Sequence, residues 1–162
     1  MTTELRLFAD YHQIHVMDEN SESDLGDAWT EQAVRDGLAA AEDVLAIGTT
    51  VNVHVAVRVD VLDGEPDDDS AGFDHVVEAS LRVPSGQLVV MGCSDYLPEA
   101  RRFKVPAGWT RVRACRRNLA AAARADVDSG DRPETTERVR LQIWPAPHDR
   151  PHVAKRWQRA GA

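Results

Sequence analysis

The densest group of polar side chains inside a predicted strand is Asp10-Tyr11-His12-Gln13, with His15 close behind. A carboxylate that orients an imidazole can do acid/base chemistry, so a hydrolase that uses Asp10 and His12 is one hypothesis. On a strand, Asp10 and His12 share one face and His15 points to the other, so the two histidines would not meet at one metal ion. The alternative is that Tyr11, His12 and Gln13 make structural hydrogen bonds to loops at a strand end.

Motifs that would define an enzyme or a metal site do not occur elsewhere in the sequence. There is no nucleophile elbow, phosphate-binding loop, dinucleotide fingerprint or zinc-finger pattern. His148 and His152 would form a metal pair only on a helix, and prolines flank them. Cys93 and Cys115 lack ligand spacing and are expected to be reduced thiols. These observations favour a protein that is not an enzyme and that needs no metal and no cofactor.

The chain divides into an acidic and a basic half. Residues 1–80 carry 19 Asp and Glu against 3 Lys and Arg, whereas residues 81–162 carry 8 against 16. The basic excess includes Arg111, Arg113, Arg116 and Arg117 on one predicted strand. Because the net charge is -8 and only 6% of residues are aromatic, we expect no nucleic-acid binding. Pairing of these arginines with the acidic half is the favoured interpretation.

Two acidic loops are candidates for contact with a basic protein partner. Carboxylates on exposed loops attract basic proteins and steer their association. The alternative is that both loops are merely solvated and keep the protein soluble. The candidate contact residues are Asp18, Glu19, Glu22 and Asp24 in the first loop, and Asp63, Glu65, Asp67, Asp68 and Asp69 in the second.

The elements that must position these residues are mostly strands. Every second residue from Val51 to Val61 is valine, which predicts one long strand with all six valines on a buried face. Thr30 is a candidate helix N-cap, and Val34, Leu38, Ala41 and Leu45 follow at helical spacing, which predicts a helix near residues 30–42.

Later stretches predict two hairpins, one with its turn at residues 84–86 and one with its turn at residues 106–108. In total the sequence predicts a mainly β protein, an antiparallel β-sandwich of about eight or nine strands with one helix. We expect a single domain over residues 1–147 and a basic C-terminal tail over residues 148–162 that frays from it. No apolar run approaches the length of a membrane span and the first residues do not resemble a signal peptide, so a cytoplasmic protein without membrane contact is expected.

Two segments give the sequence a resemblance to a known family. Residues 9–14, Ala-Asp-Tyr-His-Gln-Ile, and residues 28–31, Ala-Trp-Thr-Glu, resemble the competence protein J (ComJ) family. Residues 75–80, 103–113 and 140–147 are similar to a wider group of uncharacterised bacterial proteins of the same layout. The residues that match the family in this way are Tyr11, His12, Gln13, Trp29 and Thr30.

That resemblance implies an inhibitor or immunity protein that binds a nuclease and has no chemistry of its own. An acidic protein suits this role, since its carboxylates can occupy the basic surface on which a nuclease holds phosphates. A second hypothesis is a β-sandwich that binds a small molecule or carbohydrate, with Asp10, Tyr11, His12 and Trp29 around one concave site.

Overall fold

The computed structural model describes residues 1–159, which form two sheets packed face to face around one large apolar core. The strands are β1 Thr2–Phe8, β2 Gln13–Asp18, β3 Leu38–Ala40, β4 Val44–Gly48, β5 His54–Val61, β6 His75–Val83, β7 Gln87–Gly92, β8 Arg101–Lys104, β9 Gly108–Arg117, β10 Arg138–Pro145 and β11 His152–Lys155; the α-helices are α1 Glu31–Asp36 and α2 Leu119–Ala125. The six-stranded sheet has the order β1-β5-β10-β9-β6-β11 and the five-stranded sheet the order β3-β4-β2-β7-β8. Among the described residues, only the β5–β10 pair is parallel. The predicted antiparallel β-sandwich is therefore confirmed, with eleven strands instead of eight or nine.

The valine-rich stretch supplies a central part of the core, as predicted. Val51, Val55, Val57 and Val59 are buried in it, and the other two valines pack against its margin. The regular strand begins only at His54, so the first three residues of the stretch approach the sheet as irregular chain.

Helix α1 is shorter than the predicted helix near residues 30–42. The Thr30 hydroxyl accepts a hydrogen bond from the Ala33 backbone N–H at 3.1 Å, which confirms the predicted N-cap. Gly37 ends the helix in the left-handed region with φ of 67°, and β3 begins at the next residue. Leu38 and Leu45 are thus buried from strands. Val34, expected on the same buried helical face, is 66% exposed.

The two predicted hairpins are not hairpins. β6 belongs to the six-stranded sheet and β7 to the five-stranded sheet, so the turn at residues 84–86 carries the chain from one sheet to the other. The turn at residues 106–108 carries it back between β8 and β9. The two corners touch, because the Val105 N–H donates to the Gly86 carbonyl at 3.0 Å. The alternation of apolar and polar residues showed which side chains face the core. It did not show which sheet each strand joins, because both sheets contribute one face to that core.

Three of the four arginines of β9 pair with carboxylates, which come from both halves of the chain. Arg111 and Arg113 donate to the two oxygens of Glu78 at 3.2 and 2.8 Å. Arg116 donates to Glu137 at 3.1 Å, and the Glu137 side chain is fully buried. The predicted compensation between the acidic and basic halves is confirmed for Glu78, which comes from residues 1–80.

The C-terminal segment adds a strand instead of fraying over its described part. β11 pairs with the outer edge of β6. Beyond it, Arg156 contacts Asp36 at 2.6 Å and the Trp157 N–H donates to Nδ1 of His75 at 3.1 Å. The expectation of a fraying end is therefore wrong for residues 152–157, and the last three residues of the predicted tail lie outside the described residues.

Candidate partner-binding cleft

The corner between β1 and β2 holds two residues in an unusual backbone conformation. Tyr11 and His12 have φ of 56° and 59°, in the left-handed region that residues other than glycine rarely adopt. Such residues cost on the order of 1–3 kcal/mol each and persist only where the surroundings hold them. Here the His12 N–H donates to the Ala9 carbonyl at 3.0 Å and the His12 carbonyl accepts from the Thr49 N–H at 2.9 Å. The corner leaves the Tyr11 side chain 71% exposed.

This conformation separates the groups that were considered for acid/base chemistry. Residues 10–12 form a single helical turn and not the strand that the sequence predicted. The Asp10 carboxylate accepts hydrogen bonds from the Ser94 hydroxyl at 2.6 Å and from the Tyr11 N–H at 3.1 Å. Within residues 1–159, no hydrogen bond joins Asp10 to His12. The hydrolase hypothesis therefore loses the oriented imidazole on which it depended.

Gln13 fixes the orientation of the rings beside the corner. Its Oε1 accepts from the indole Nε1–H of Trp29 at 3.2 Å and from Nε2 of His15 at 2.9 Å. Since the amide oxygen only accepts, the His15 Nε2 must carry the proton. Burial lowers the pKa of His15, which favours the neutral ring. Gln13 lies on the outer face of the five-stranded sheet, and its amide thus fixes the rings of Trp29 and His15, which we call the aromatic wall.

A small second core supports that wall. It lies under α1 and the preceding loop, on the outer face of the five-stranded sheet, and Trp29 packs against it while remaining partly exposed. Its buried members are Leu25, Ala33, Ala39, Val44 and Ala46. The Thr30 cap starts α1 directly after Trp29, so the helix projects Val34 beside the indole ring.

These elements enclose one cleft of about 280 Å³, here called the Tyr11 cleft. The close backbone approach at its floor requires glycine, since a Cβ at Gly48 would stand 3.0 Å from the Gly37 Cα. Exposed aromatic and aliphatic side chains around a preformed recess are typical of the anchoring centre of a protein interface. The lining residues are Tyr11, His12, Gln13, Trp29, Val34, Gly48 and Thr49.

The structure thus brings four of the five family-matching residues to one cleft, and the fifth, Thr30, caps the helix beside it. Sequence reasoning missed Val34, Gly48 and Thr49. Gly37 was the sequence signal that could have indicated the exposure of Val34. A helix that ends at Gly37 is too short to bury the side chain of Val34. Gly48 and Thr49 carried no signal, because their place in the cleft depends on long-range pairing.

The first acidic loop begins at the buried end of β2. Asp18 is only 2% exposed, and it accepts from the Ser85 N–H and hydroxyl at 3.0 and 2.6 Å. Burial raises its pKa, but hydrogen bonds from Ser85 and from the Asn20 N–H outweigh that effect and keep the pKa below its usual value. Glu19 pairs with Arg102 at 3.3 Å. Asp18 therefore braces the corner after β6 from the interior of the protein and is not presented on the surface.

Glu22 and Asp24 are exposed in the segment that leads to Trp29. Neither forms an ion pair within the described chain. Asp27 and Glu31, on either side of Trp29 in the sequence, are also exposed. These four exposed carboxylates make the segment around Trp29 acidic.

The second acidic loop lies on the opposite side of the sandwich. It packs over the outer face of the six-stranded sheet, where Glu65 contacts Arg113 at 3.4 Å. Asp69 receives two hydrogen bonds from the Arg140 guanidinium at 2.7 and 2.6 Å, and chiefly these lower its pKa. Asp63, Asp67 and Asp68 are exposed. The two acidic loops are therefore not brought to one surface.

The described chain offers neither a cluster of metal ligands nor a membrane-spanning helix. Within residues 1–159, no three His, Cys, Asp or Glu side chains are grouped so that they could hold a metal ion. Neither helix in this range has the length and apolar character needed to cross a bilayer.

Comparison with known families now places the chain. The model of the competence protein J (ComJ) family matches residues 6–136. The chain belongs to the ComJ family. The matched range contains every residue that lines the Tyr11 cleft and ends before β10 and β11.

Two solved structures resemble this ComJ-family protein in fold. The crystal structure of ComJ from Bacillus subtilis, described as an inhibitor of the DNA degrading activity of NucA, has a TM-score of 0.63 at 16% identity, over 89% of this chain and 96% of that one. The product of crocagin biosynthetic gene J has a TM-score of 0.60 at 18% identity, over 91% and 98% of the two chains. At these identities the likeness concerns the fold alone. No curated protein matches the sequence significantly.

Proposed function

We propose that this ComJ-family protein is a non-enzymatic inhibitor that binds a nuclease through the Tyr11 cleft. The observation that carries the proposal is the exposure of Tyr11 and Val34, 71% and 66%, beside a recess that a strained turn and a capped helix hold open. The description of the Bacillus subtilis relative as an inhibitor of NucA supports the class of partner. The separation of Asp10 from His12 supports a role without chemistry of its own.

The cleft suits a protein partner because its exposed residues are already ordered. Tyr and Trp dominate the energetics of interfaces, and ordering them before binding lowers the entropic cost of association. Trp29 is fixed by Gln13, and Tyr11 projects from a turn that is bonded to Ala9 and Thr49. A protruding side chain of the nuclease would enter the recess between them.

The acidic approach to the cleft suits a basic nuclease. Glu22, Asp24, Asp27 and Glu31 are exposed near Trp29 and Val34 in sequence. A nuclease presents positive charge to phosphates, and carboxylates of an inhibitor can take their place. Neutralising Glu22 and Asp24 should slow association and flatten its salt dependence.

The contact role of Asp63, Glu65, Asp67, Asp68 and Asp69 stays a prediction, and the paired substitution of Asp67 and Asp68 by Asn tests it.

The proposal is tested with purified protein and the DNA-degrading nucleases encoded in the same genome. Degradation of labelled DNA is followed against inhibitor concentration for the unchanged protein and for four variants. Tyr11→Ser is matched by Tyr96→Ser, since Tyr96 is 68% exposed and does not line the cleft, and Val34→Ser is matched by Val127→Ser at 71%. Thermal unfolding of each variant checks that the fold is intact.

We expect the Tyr11 and Val34 variants to need roughly tenfold more protein for half-inhibition, as for residues at the centre of an interface. The two control variants should stay within about twofold of the unchanged protein, as is usual for isolated surface positions. The proposal fails if no nuclease is inhibited, or if the Tyr11 and Val34 variants inhibit as well as their controls do.

A small molecule or carbohydrate is the second candidate occupant, because Tyr11, His12 and Trp29 do line one cleft. Asp10, the fourth residue expected there, is instead bonded to Ser94. A sugar stacked on Trp29 should quench its fluorescence, and a saturable change of this kind without any nuclease inhibition would favour this candidate. The predicted cytoplasmic location stays a prediction that cell fractionation can test.

A further inference from the structure

The outer face of the six-stranded sheet carries an arrangement of arginines that the proposed inhibitor role does not use. In the strand register, Arg138 of β10 stands directly opposite Arg117 of β9 on one side and Ala56 of β5 on the other. Like charges at directly opposed positions of neighbouring strands are destabilising. Two residue pairs further along, on the same face, Arg140 stands opposite Arg58. Ala56 therefore stands between Arg138 and, on β1, Arg6, and Arg58, Arg117 and Arg140 occupy nearby positions of the same face.

A cavity of about 250 Å³ occupies the space that Ala56 leaves between the longer side chains. Arg58, Arg117, Arg138 and Arg140 line it, and Phe73 forms part of its wall. The guanidinium of Arg140 lies 4.4 Å from the centre of the Phe73 ring and that of Arg117 lies 5.6 Å from it. We call this site the Arg138 cavity.

Two of its arginines are neutralised within the chain and two are not. Arg58 contacts Asp60 at 3.2 Å, and Arg140 holds Asp69 through two hydrogen bonds. Within residues 1–159, the side chains of Arg117 and Arg138 have neither an ion pair nor a hydrogen bond.

The Nε of Arg140 is buried and has no hydrogen-bond partner, but it is closed off from the solvent-accessible cavity. The charge available to a ligand in the cavity is therefore that of Arg117 and Arg138.

We propose that the Arg138 cavity binds a phosphate monoester of a small molecule. A phosphate monoester carries about -1.5 to -2 charges at pH 7, which matches the two guanidinium groups left without a counter-charge. The planar guanidinium fork offers paired donors to phosphate oxygens. Phe73 and Ala56 offer apolar contact to the carbon part of the ester.

The size of the cavity argues for a small ligand. Its volume lies just below the usual range of about 300–1,000 Å³ for ligand pockets. Glu4 also lines it and stands opposite Arg58 in the register, so the carboxylate lies beside one of the arginines of the cavity. A recess of this size holds one small phosphate ester and not the continuous phosphate backbone of a nucleic acid. The cavity is on the opposite outer face from the Tyr11 cleft, so its occupancy does not rest on the proposed inhibitor function.

The test is calorimetric titration of the full chain at low ionic strength with adenosine monophosphate, inorganic phosphate and adenosine. We expect the nucleotide to bind and adenosine not to bind. Equal binding of inorganic phosphate would show that the phosphate group alone is recognised, and weaker binding would show that the body of the ester also contributes; both support the site. Arg138→Gln should weaken binding at least about tenfold, the usual loss for a charged hydrogen bond. Arg124→Gln, on an exposed arginine of α2 outside the cavity, should leave it unchanged.

Thermal unfolding separates a binding site from a structural role. If Arg138 is held against Arg117 for ligand binding, the two like charges destabilise the ligand-free protein. Arg138→Gln should then raise the midpoint temperature of thermal unfolding of the ligand-free protein by up to about 2–4 °C. Ala56→Leu, which fills the cavity from a position facing outward, should abolish binding while the protein stays folded. The proposal is overturned if neither adenosine monophosphate nor inorganic phosphate binds, or if the Arg138→Gln and Ala56→Leu variants both bind as tightly as the unchanged protein.

Discussion

Replacing Glu137 by Ala should destabilise the protein more than any surface substitution. Glu137 is fully buried, and one carboxylate oxygen accepts from Arg116 Nε at 3.1 Å. The other oxygen accepts from the Thr50 backbone N–H at 2.7 Å, next to the Gly48 and Thr49 wall of the Tyr11 cleft. The substitution therefore leaves a guanidinium and a backbone donor without their acceptor, in a residue pair that holds the cleft.

The expected loss follows from what remains around Arg116, which is only 6% exposed. Its Nη2 still donates to the Thr50 hydroxyl at 3.1 Å, but no carboxylate among the described residues replaces Glu137. Removing one partner of a buried ion pair costs about 3–5 kcal/mol. With a urea dependence of about 2 kcal/mol/M, the unfolding midpoint should fall by about 1.5–2.5 M.

The assay is equilibrium unfolding in urea, followed by tryptophan fluorescence and circular dichroism. Glu65→Ala is the matched control, since it also removes a carboxylate from a buried arginine, Arg113, but its side chain is 70% exposed. We expect about 0–1 kcal/mol for that control. The double variant Arg116→Met/Glu137→Leu should recover most of the stability, because no charge is left buried. A loss below about 1 kcal/mol for Glu137→Ala, or a double variant no more stable than the single one, would refute the reasoning.

Three further predictions concern pH, the strained corner and the last strand. Burial lowers the pKa of His15 and His75 in the folded protein, so the unfolded chain binds more protons below about pH 6.5. The free energy of unfolding should therefore keep its full value above about pH 6.5 and decrease below it. Urea unfolding at pH 7.5 and at pH 5.5 measures this difference. His12→Gly should leave stability unchanged or raise it by up to about 1 kcal/mol, because it relieves a positive φ of 59°, and a clear loss on urea unfolding would mean that the His12 side chain itself is needed. Ending the chain after residue 151 uncovers the edge of β6, so light scattering should detect self-association, and a fully monomeric product would contradict this.

The fold was predictable where a pattern reflects one local cause. Alternating valines require one dry face, so β5 and its place in the core followed from the sequence. The Thr30 cap followed from the chemistry of helix ends. The pairing of β6 with β9 and of β7 with β2 did not follow, because in a sandwich the inward faces of both sheets look alike in sequence. Only the long-range contacts of the turns at residues 84–86 and 106–108 decide which sheet a strand joins.

The candidate site was predictable in its residue types and not in its geometry. Tyr11, His12 and Gln13 stood out as a polar cluster, but a strand was assigned where the chain makes a left-handed turn. Histidine is enriched in that conformation relative to most residues, but it adopts it rarely and tyrosine more rarely still, so the sequence carries only a weak local sign of it. The backbone bonds to Ala9 and Thr49 impose it, and both depend on the finished fold.

Within the fold, some of the opposite charges of the two halves meet, and two separate surfaces keep unpaired charges of one sign. Glu78 and Glu137 neutralise Arg111, Arg113 and Arg116 of β9, and Asp69 neutralises Arg140. The unpaired charges include the exposed carboxylates of the segment around Trp29 and the arginines of the Arg138 cavity, and the Tyr11 cleft and the Arg138 cavity lie on opposite faces of a packed core.

That arrangement predicts independent binding at the two surfaces. The two sites lie about one sandwich thickness apart, and this distance exceeds the screening length of about 8 Å at physiological salt. Neither ligand requires an element of the fold to move when it binds. Saturating adenosine monophosphate should therefore leave the concentration for half-inhibition of the nuclease unchanged, once the effect of the nucleotide on the nuclease alone has been subtracted. Arg138→Gln should likewise inhibit as well as the unchanged protein. A shift of more than about fivefold in either experiment would correspond to a coupling free energy above 1 kcal/mol and would show that the two faces communicate.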